Sequence, residues 1–360
     1  MAQETEETCV LPLLADAQRY TACLWDLSQH GELRDYWFGL FRGHFKRLIE
    51  EVETEYRDDP RLAERVAAMT THFNVQFDAL ETRDQNNGWL DIITLCRARE
   101  SAIDAGGIED AYRGAKAREN EAALPLLIGW LGELDELADA QRAPRLIEGI
   151  FAGNIFDLGA TETLDLLDGQ PVDFHATLAK LRPRPWLIDD LDNWLQRWAQ
   201  PPHRSAVLFV DNAGCDIVLG MIPFARELLR RGTDVLLTAN SKPSLNDVTH
   251  DDLTALIAQV SEHDAILADA LVDGRLELVA SGNDLPLIDL CRISPALSEA
   301  VQRRGVDLVV LEGMGRAVES NLDAAFTCEV VKIAMLKDGS VARKLGGQLY
   351  DLVFSFEPAD

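Results

Sequence analysis

Apolar positions change their period partway along the chain. Up to about residue 180 they recur every three or four residues. In DYWFGLFRGHFKRLIEEVETEY, which begins at Asp35, the residues Trp37, Leu40, Phe41, Phe45 and Leu48 fall on one face of a helix. RLAERVAAMTTHFNVQFDAL (61–80) and NEAALPLLIGWLGELDELADAQR (120–142) repeat that pattern. No strand pattern precedes residue 180. LRPRPWLIDD (181–190) is proline-rich, LDNWLQRWA reads as a short amphipathic helix, and QPPHRS breaks the chain. The boundary is placed here, giving a helical domain over 1–185 and an α/β domain over 186–360.

Beyond the boundary the apolar runs are short and β-branched: 206–210, 235–238, 276–280, 308–311, 330–336 and 349–354. Segments long enough for a helix, such as IPFARELLRRG and SPALSEAVQRRG, separate most of them. Continuous apolar strands alternating with helices predict a parallel sheet covered on both faces. The expected fold class is therefore α/β. An all-helical N-terminal domain is followed by a doubly wound, mostly parallel sheet with helices on both faces. There is no internal repeat and no low-complexity tract.

Composition narrows the chemistry. The 360 residues are 47% hydrophobic, ample for a sizeable core. Lys and Arg total 34 against 61 Asp and Glu, a formal net charge of −27. Such a field repels nucleic acid and anionic membranes, so neither is an expected partner. If the substrate is anionic, the site must supply local positive charge, most cheaply from a metal ion. None of the six cysteines lies in a CxxC pair. The N-terminus, MAQETEETCV, lacks the basic-then-apolar pattern of a signal peptide. No apolar run approaches the roughly 20 residues of a membrane span. A cytoplasmic protein with reduced thiols is expected.

In sheets of this kind ligands sit at the carboxyl ends of the strands. The first run ends on Asp211 and Asn212, and the second in TANSKPSLNDVT, with Asn240, Ser241, Lys242, Asn246 and Asp247. The third opens onto Ser281 and Gly282, the fourth onto Glu312, Gly313, Gly315 and Arg316, and the fifth onto Lys337. Asp211, Asn212 and Asp247 would give an all-oxygen shell suited to Mg²⁺ or Mn²⁺, with Co²⁺ and Ni²⁺ also compatible. Asp211 and Asp247 equally suit helix N-caps. Asp216 reads as a solvated or capping residue. Gly313-x-Gly315 lacks the third glycine of a dinucleotide fingerprint, yet a glycine-rich turn can hold a phosphate.

Taken together, KAREN, AGNIFDLGA, RPWLIDDLDNWLQRW, the long block from PPHRSAVLFVDNAG to LNDVTH, LVVLEGMGRAVESN and LGGQLYDLVFSFEP carry a resemblance. The chain resembles the metal-dependent, ARMT1-like damage-control phosphatases from about residue 12 onward. It is most similar to the branch found fused to a pantothenate kinase-like domain. With no kinase-like segment here, a free-standing module is expected. The resemblance implies a helical domain joined to an α/β domain. It implies a divalent metal held by Asp211, Asn212 and Asp247, with Asp211 and Asp247 catalytic. It implies hydrolysis of a small phosphorylated metabolite, 4′-phosphopantetheine or its oxidised or damaged derivatives. Glu119 and Asn120, with Asn154 and Asp157, match family motifs at the domain junction. They are expected to frame the substrate pocket or to bridge the domains. Ser281, Gly282, Gly313, Arg316 and Lys337 are expected substrate contacts. Asn-Ala-Gly at 212–214 departs from the Asn-Ser-Gly of the related module and removes a hydroxyl near the metal, not a ligand.

Spacing does not separate attack by water from attack by Asp211 itself. The competing readings are a sugar phosphatase, an S-adenosylmethionine-dependent carboxyl methyltransferase and a non-catalytic metabolite-binding module. A homodimer is compatible with the helical half, although no motif demands one.

Overall fold

The computed structural model describes residues 8–23, 25–84, 88–155 and 174–359. The helical pattern is realised as α1 (Glu32–Glu55), α2 (Leu62–Glu81), α3 (Ile92–Gly106), α4 (Arg113–Glu136), α5 (Asp139–Asn154) and α6 (Phe174–Lys180). Of the stripe expected on α1, Trp37, Phe41, Phe45 and Leu48 are buried in the core, and Leu40 is half-buried against it. Phe45 stacks on Phe73 of α2 at 3.8 Å between ring centroids, and Phe73 on Phe77 at 4.0 Å. The Phe45–Phe73 contact joins α1 to α2, alongside ion pairs from Arg42 of α1 to Asp78 and Glu81 of α2.

A two-residue strand, β1 (Ile188–Asp189), and α7 (Leu191–Trp198) follow. Then come β2 (Ser205–Phe209), α8 (Ile222–Arg231), β3 (Asp234–Ala239), α9 (His250–Ser261), α10 (Ala265–Val272) and β4 (Leu276–Ala280). The chain closes with α11 (Pro295–Arg304), β5 (Leu308–Glu312), β6 (Glu329–Met335), α12 (Gly339–Lys344) and β7 (Leu352–Glu357). The seven strands lie in the order β1-β7-β6-β5-β2-β3-β4. All neighbours are parallel except β6 and β7. The last strand starts three residues later than its apolar pattern begins. Leu349 and Tyr350 belong to the preceding turn, where Tyr350 takes a left-handed φ of 65°.

Alternation along each strand sends side chains to two cores. Val207, Phe209, Leu236, Val309 and Leu311 join α1–α3, α11 and α12 on one face of the sheet. Ala206, Leu208, Val210, Leu237 and Val310 join α4–α10 on the other. The helices that precede residue 186 thus contribute to both cores. α5 lies close against the turn that follows β2: a Cβ on Gly153 would sit 2.7 Å from the Cys215 carbonyl oxygen. That approach brings Asn154, the last residue of α5, to the strand ends.

Candidate active site

From β2 the chain proceeds one way through β3 to β4, and from β5 the other way through β6 to β7. The direction of winding therefore reverses between β2 and β5. An open parallel sheet leaves a crevice at such a point. Asp211 follows β2 and Glu312 ends β5, so both carboxylates lie at the strand ends where the winding reverses. The Glu312 side chain accepts a 2.9 Å hydrogen bond from the Asp211 amide and ties the two strand ends together.

The loop after β3 folds back over the same ends. Asn212 and Asp247 form an isolated antiparallel bridge. The Ala213 amide donates to the Asn246 carbonyl at 3.0 Å, and the Val248 amide to the Asp211 carbonyl at 2.9 Å. Leu245, with φ of 50°, lets the loop make this turn. α9 is capped by Thr249, in a reciprocal box with Asp252. Asp247 is therefore not spent on capping.

Arg316 links the carboxylates. It lies in a π-helical turn, Met314–Glu319, entered through Gly313 at φ 95°. A side chain at Gly313 would drive its Cβ into the Asp211 carboxylate, so only glycine allows this approach. One guanidinium nitrogen, Nη1, donates to Asp211 Oδ1. The other, Nη2, donates to Asp247 Oδ2 at 2.7 Å and to Asn240 Oδ1 at 3.0 Å. Asn240 Nδ2 donates to Asp247 Oδ2 at 3.0 Å. Asn212 Nδ2 donates to Asp211 Oδ2 at 2.8 Å and to Asp216 Oδ2 at 3.0 Å. Behind them, Asn154 Nδ2 donates to Asp216 and Glu312, both at 2.8 Å.

Asp211, Asp216 and Glu312 offer carboxylate oxygens that lie within 4.8 Å of one another, all buried. The expected solvated or capping role of Asp216 is thereby corrected. It is 1% exposed because the turn it opens, Asp216–Met221, is apolar throughout and packs under α5. Burial raises the proton affinity of all three acids. Asp211 and Asp216 add to the rise at Glu312, while Arg316 and Lys337 oppose it at Asp211 and Glu312. Asp216 Oδ1 and Asn154 Oδ1 are buried and accept no hydrogen bond. Crowded acidic oxygens with unfilled lone pairs are what a hard divalent cation satisfies, so the donor set fits such an ion. Asp211 belongs both to this triad and to the expected set with Asn212 and Asp247.

A cleft of about 370 Å³ opens above this floor. Asp211, Asn212, Asp247 and Lys337 line it, together with Glu319 and Asp338, which the sequence reading did not single out. The apolar side chains Trp37, Leu40, Phe41, Ile92 and Leu287 also line it, with the polar Tyr36, His44 and Arg99 beside them. Among the described residues, the remaining expected contacts do not line the cleft. Arg316 and Gly313 lie beneath its floor, Arg316 at 1% exposure. Asn120 Oδ1 accepts from the Gly214 amide at 2.7 Å, and Glu119 lies against Gly214. The pair thus joins α4 to the loop after Asn212. Ser281 and Gly282 tie down the loop after β4, where the Gly282 amide donates to Ser241 Oγ at 2.8 Å and Ser281 Oγ accepts from the Asn283 amide. Asp157 lies outside the described residues. Among the described residues no helix is long and apolar enough to cross a membrane.

This geometry can be set beside known proteins. The chain is 40% identical over 323 residues to a damage-control phosphatase of Arabidopsis thaliana, covering 89% of this chain and 87% of that one. It is 33% identical to the 4′-phosphopantetheine phosphatase of Mus musculus over 96% of this chain. It is 38% identical to pantothenate kinase 2 of Arabidopsis thaliana over 97% of this chain. It spans 48% and 42%, respectively, of those two longer proteins. A crystal structure of a DUF89 family protein from Pyrococcus horikoshii shares the fold, with a TM-score of 0.58 at 15% identity over 90% of this chain and 99% of that one. Residues 41–353 match the damage-control phosphatase ARMT1-like domain, and the chain belongs to the family of phosphatases defined by that domain.

Proposed function

We propose that the protein is a divalent-metal-dependent phosphatase of 4′-phosphopantetheine or its oxidised derivatives. One observation carries the reading: an acidic floor that fits a cation shares a single cleft with apolar and aromatic side chains. The phosphate of such a substrate lies at the floor, beside Lys337. Its pantetheine arm, amide-linked and bearing a gem-dimethyl carbon, runs along Trp37, Leu40, Phe41 and Ile92. A sugar phosphate would set more of its hydroxyls against those apolar side chains than a pantetheine arm does, and each one left there without a partner costs binding energy.

Asp211, Asn212 and Asp247 hold the cation in this reading, with Asp216 and Glu312 close behind Asp211. When bound, a divalent cation neutralises the charge that builds on phosphoryl oxygens during transfer. Arg316 fixes Asp211 and Asp247 relative to each other through its two-pronged contact. A carboxylate of that pair orients the attacking water and takes its proton.

The test is a comparison of kcat/KM for phosphate release from 4′-phosphopantetheine, its S-oxidised forms and a series of sugar phosphates. The reading expects the pantetheine esters to be favoured by at least about 10-fold, the value of one or two good apolar contacts. A preference for sugar phosphates would overturn the substrate assignment. S-adenosylmethionine consumption without phosphate release would overturn the activity.

A further inference from the structure

Glu319 ends the turn that carries Arg316, yet it takes no part in the network beneath the floor. It is 6% exposed and lines the cleft with Asp211, Lys337, Asp338 and Cys96. Its carboxyl has no hydrogen-bond partner among the described residues. The ionisable groups that share the cleft with it or lie close by come from several elements, Tyr36 and His44 on α1 and Asp247 after β3 among them. Asp211 follows β2, Lys337 and Asp338 follow β6, Cys96 and Arg99 project from α3, and Cys23 belongs to the N-terminal segment. Arg99 is committed to Glu100 at 2.7 Å. Burial, and then Asp338 and Asp211, push the Glu319 carboxyl up to about 8. A carboxyl in this setting keeps its proton and presents an O–H to the cleft.

The ester of a primary alcohol poses a specific difficulty for hydrolysis. Its leaving oxygen is strongly basic and must be protonated as the P–O bond breaks. Asp211, Asn212 and Asp247 already face Arg316, Asn240 and one another. Lys337 is drawn towards Asp211, Asp216 and Glu312.

We propose that Glu319 is the general acid that protonates the leaving alcohol, an assignment that rests on the phosphatase reading above. The step balances with water as the only co-reactant. The water oxygen forms a new bond to phosphorus and gives a proton to a floor carboxylate. The bond from phosphorus to the ester oxygen breaks, and its electron pair accepts the proton of Glu319. The alcohol and inorganic phosphate leave, and a solvent proton returns to Glu319 as the floor carboxylate releases its own.

The experiment compares Glu319→Gln with the unmodified protein, each saturated with Mn²⁺, on 4′-phosphopantetheine and on p-nitrophenyl phosphate. The second ester releases a stable phenolate and needs no acid. The proposal expects kcat on the alkyl ester to fall by about 100-fold or more, the usual range for a positioned acid. The fall on the aryl ester should be far smaller, and that remaining aryl activity reports a folded site. Glu319→Asp should recover part of the alkyl rate. Equal losses on both esters, or a loss confined to KM, would overturn the assignment and leave the phosphatase reading standing. Absence of phosphate release from either ester by the unmodified protein would instead overturn the phosphatase reading itself.

Discussion

The carboxylate of Asp211 is held by single atoms. Arg316 Nη1 and Asn212 Nδ2 each contact one of its oxygens, and the Gly313 backbone passes where a Cβ would collide with it. Gly313→Ala must displace Asp211 or distort the strand end, because alanine also resists a φ of 95°. Misplacement of about 1 Å at a reacting centre commonly costs 10²-fold in rate, and a loss of about that size is expected in kcat/KM. Steady-state kinetics together with a thermal melt will separate this from unfolding. Glu319 makes a prediction about pH. Its carboxyl is raised to about 8 in the folded protein, so the acid form prevails below that value. Activity on an alkyl phosphate should therefore decline towards alkaline pH, and Glu319→Gln should lack this descending limb. The stability that the retained proton contributes has the same sign. It is fully present below the ordinary carboxyl value and is lost as pH rises through about 8.

At the scale of elements, the strands were legible because a parallel strand buried on both faces reads as an unbroken apolar run. Asp211 and Asn212 were legible for the same reason, as the first polar residues beyond such a run, and Asp247 as an acid in the polar segment that follows the next one. The two π-helical turns, Asp216–Met221 and Met314–Glu319, were not, since the helical reading assumes 3.6 residues per turn. Asp216 and Glu319 were undervalued accordingly. DIVLGM did carry a usable signal: a helix apolar on every side must be buried, and so must the carboxylate that heads it. The pairing of Glu312 with the Asp211 amide spans 101 positions, and no local pattern encodes it.

The N-terminal segment reaches the site through a chain of contacts. Tyr20 donates to Asn321 Oδ1 at 2.7 Å and accepts from the Leu290 amide at 3.0 Å, while Asn321 Nδ2 donates to the Arg316 carbonyl at 2.9 Å. Tyr20→Phe strands two buried partners, at a cost of about 1–3 kcal/mol. Urea denaturation measures that loss. A rise in KM is also expected, as the Arg316 turn loosens.

For the molecule as a whole, a net charge of −27 and a buried cluster of three acids act in the same direction. Without a cation, folding must keep like charges together or take up protons. A divalent ion that binds only the folded state removes that conflict and stabilises by mass action, by about 2.7 kcal/mol at a hundred times its Kd. Chelation should therefore lower the melting temperature, and Mn²⁺ should restore it in a concentration-dependent way. Asp211→Asn should blunt the response. An equal response to Mn²⁺ in both proteins would place the ion elsewhere.

The central claim joins the acidic floor to phosphate-ester hydrolysis. Phosphate release from 4′-phosphopantetheine by metal-stripped protein tests it most directly, with Mg²⁺, Mn²⁺, Co²⁺ or Ni²⁺ added back in turn and Asp211→Ala as control. The account predicts no release without metal, recovery with at least one of these ions, and no recovery in the control. Full activity in the stripped protein, or undiminished activity in Asp211→Ala, would contradict it.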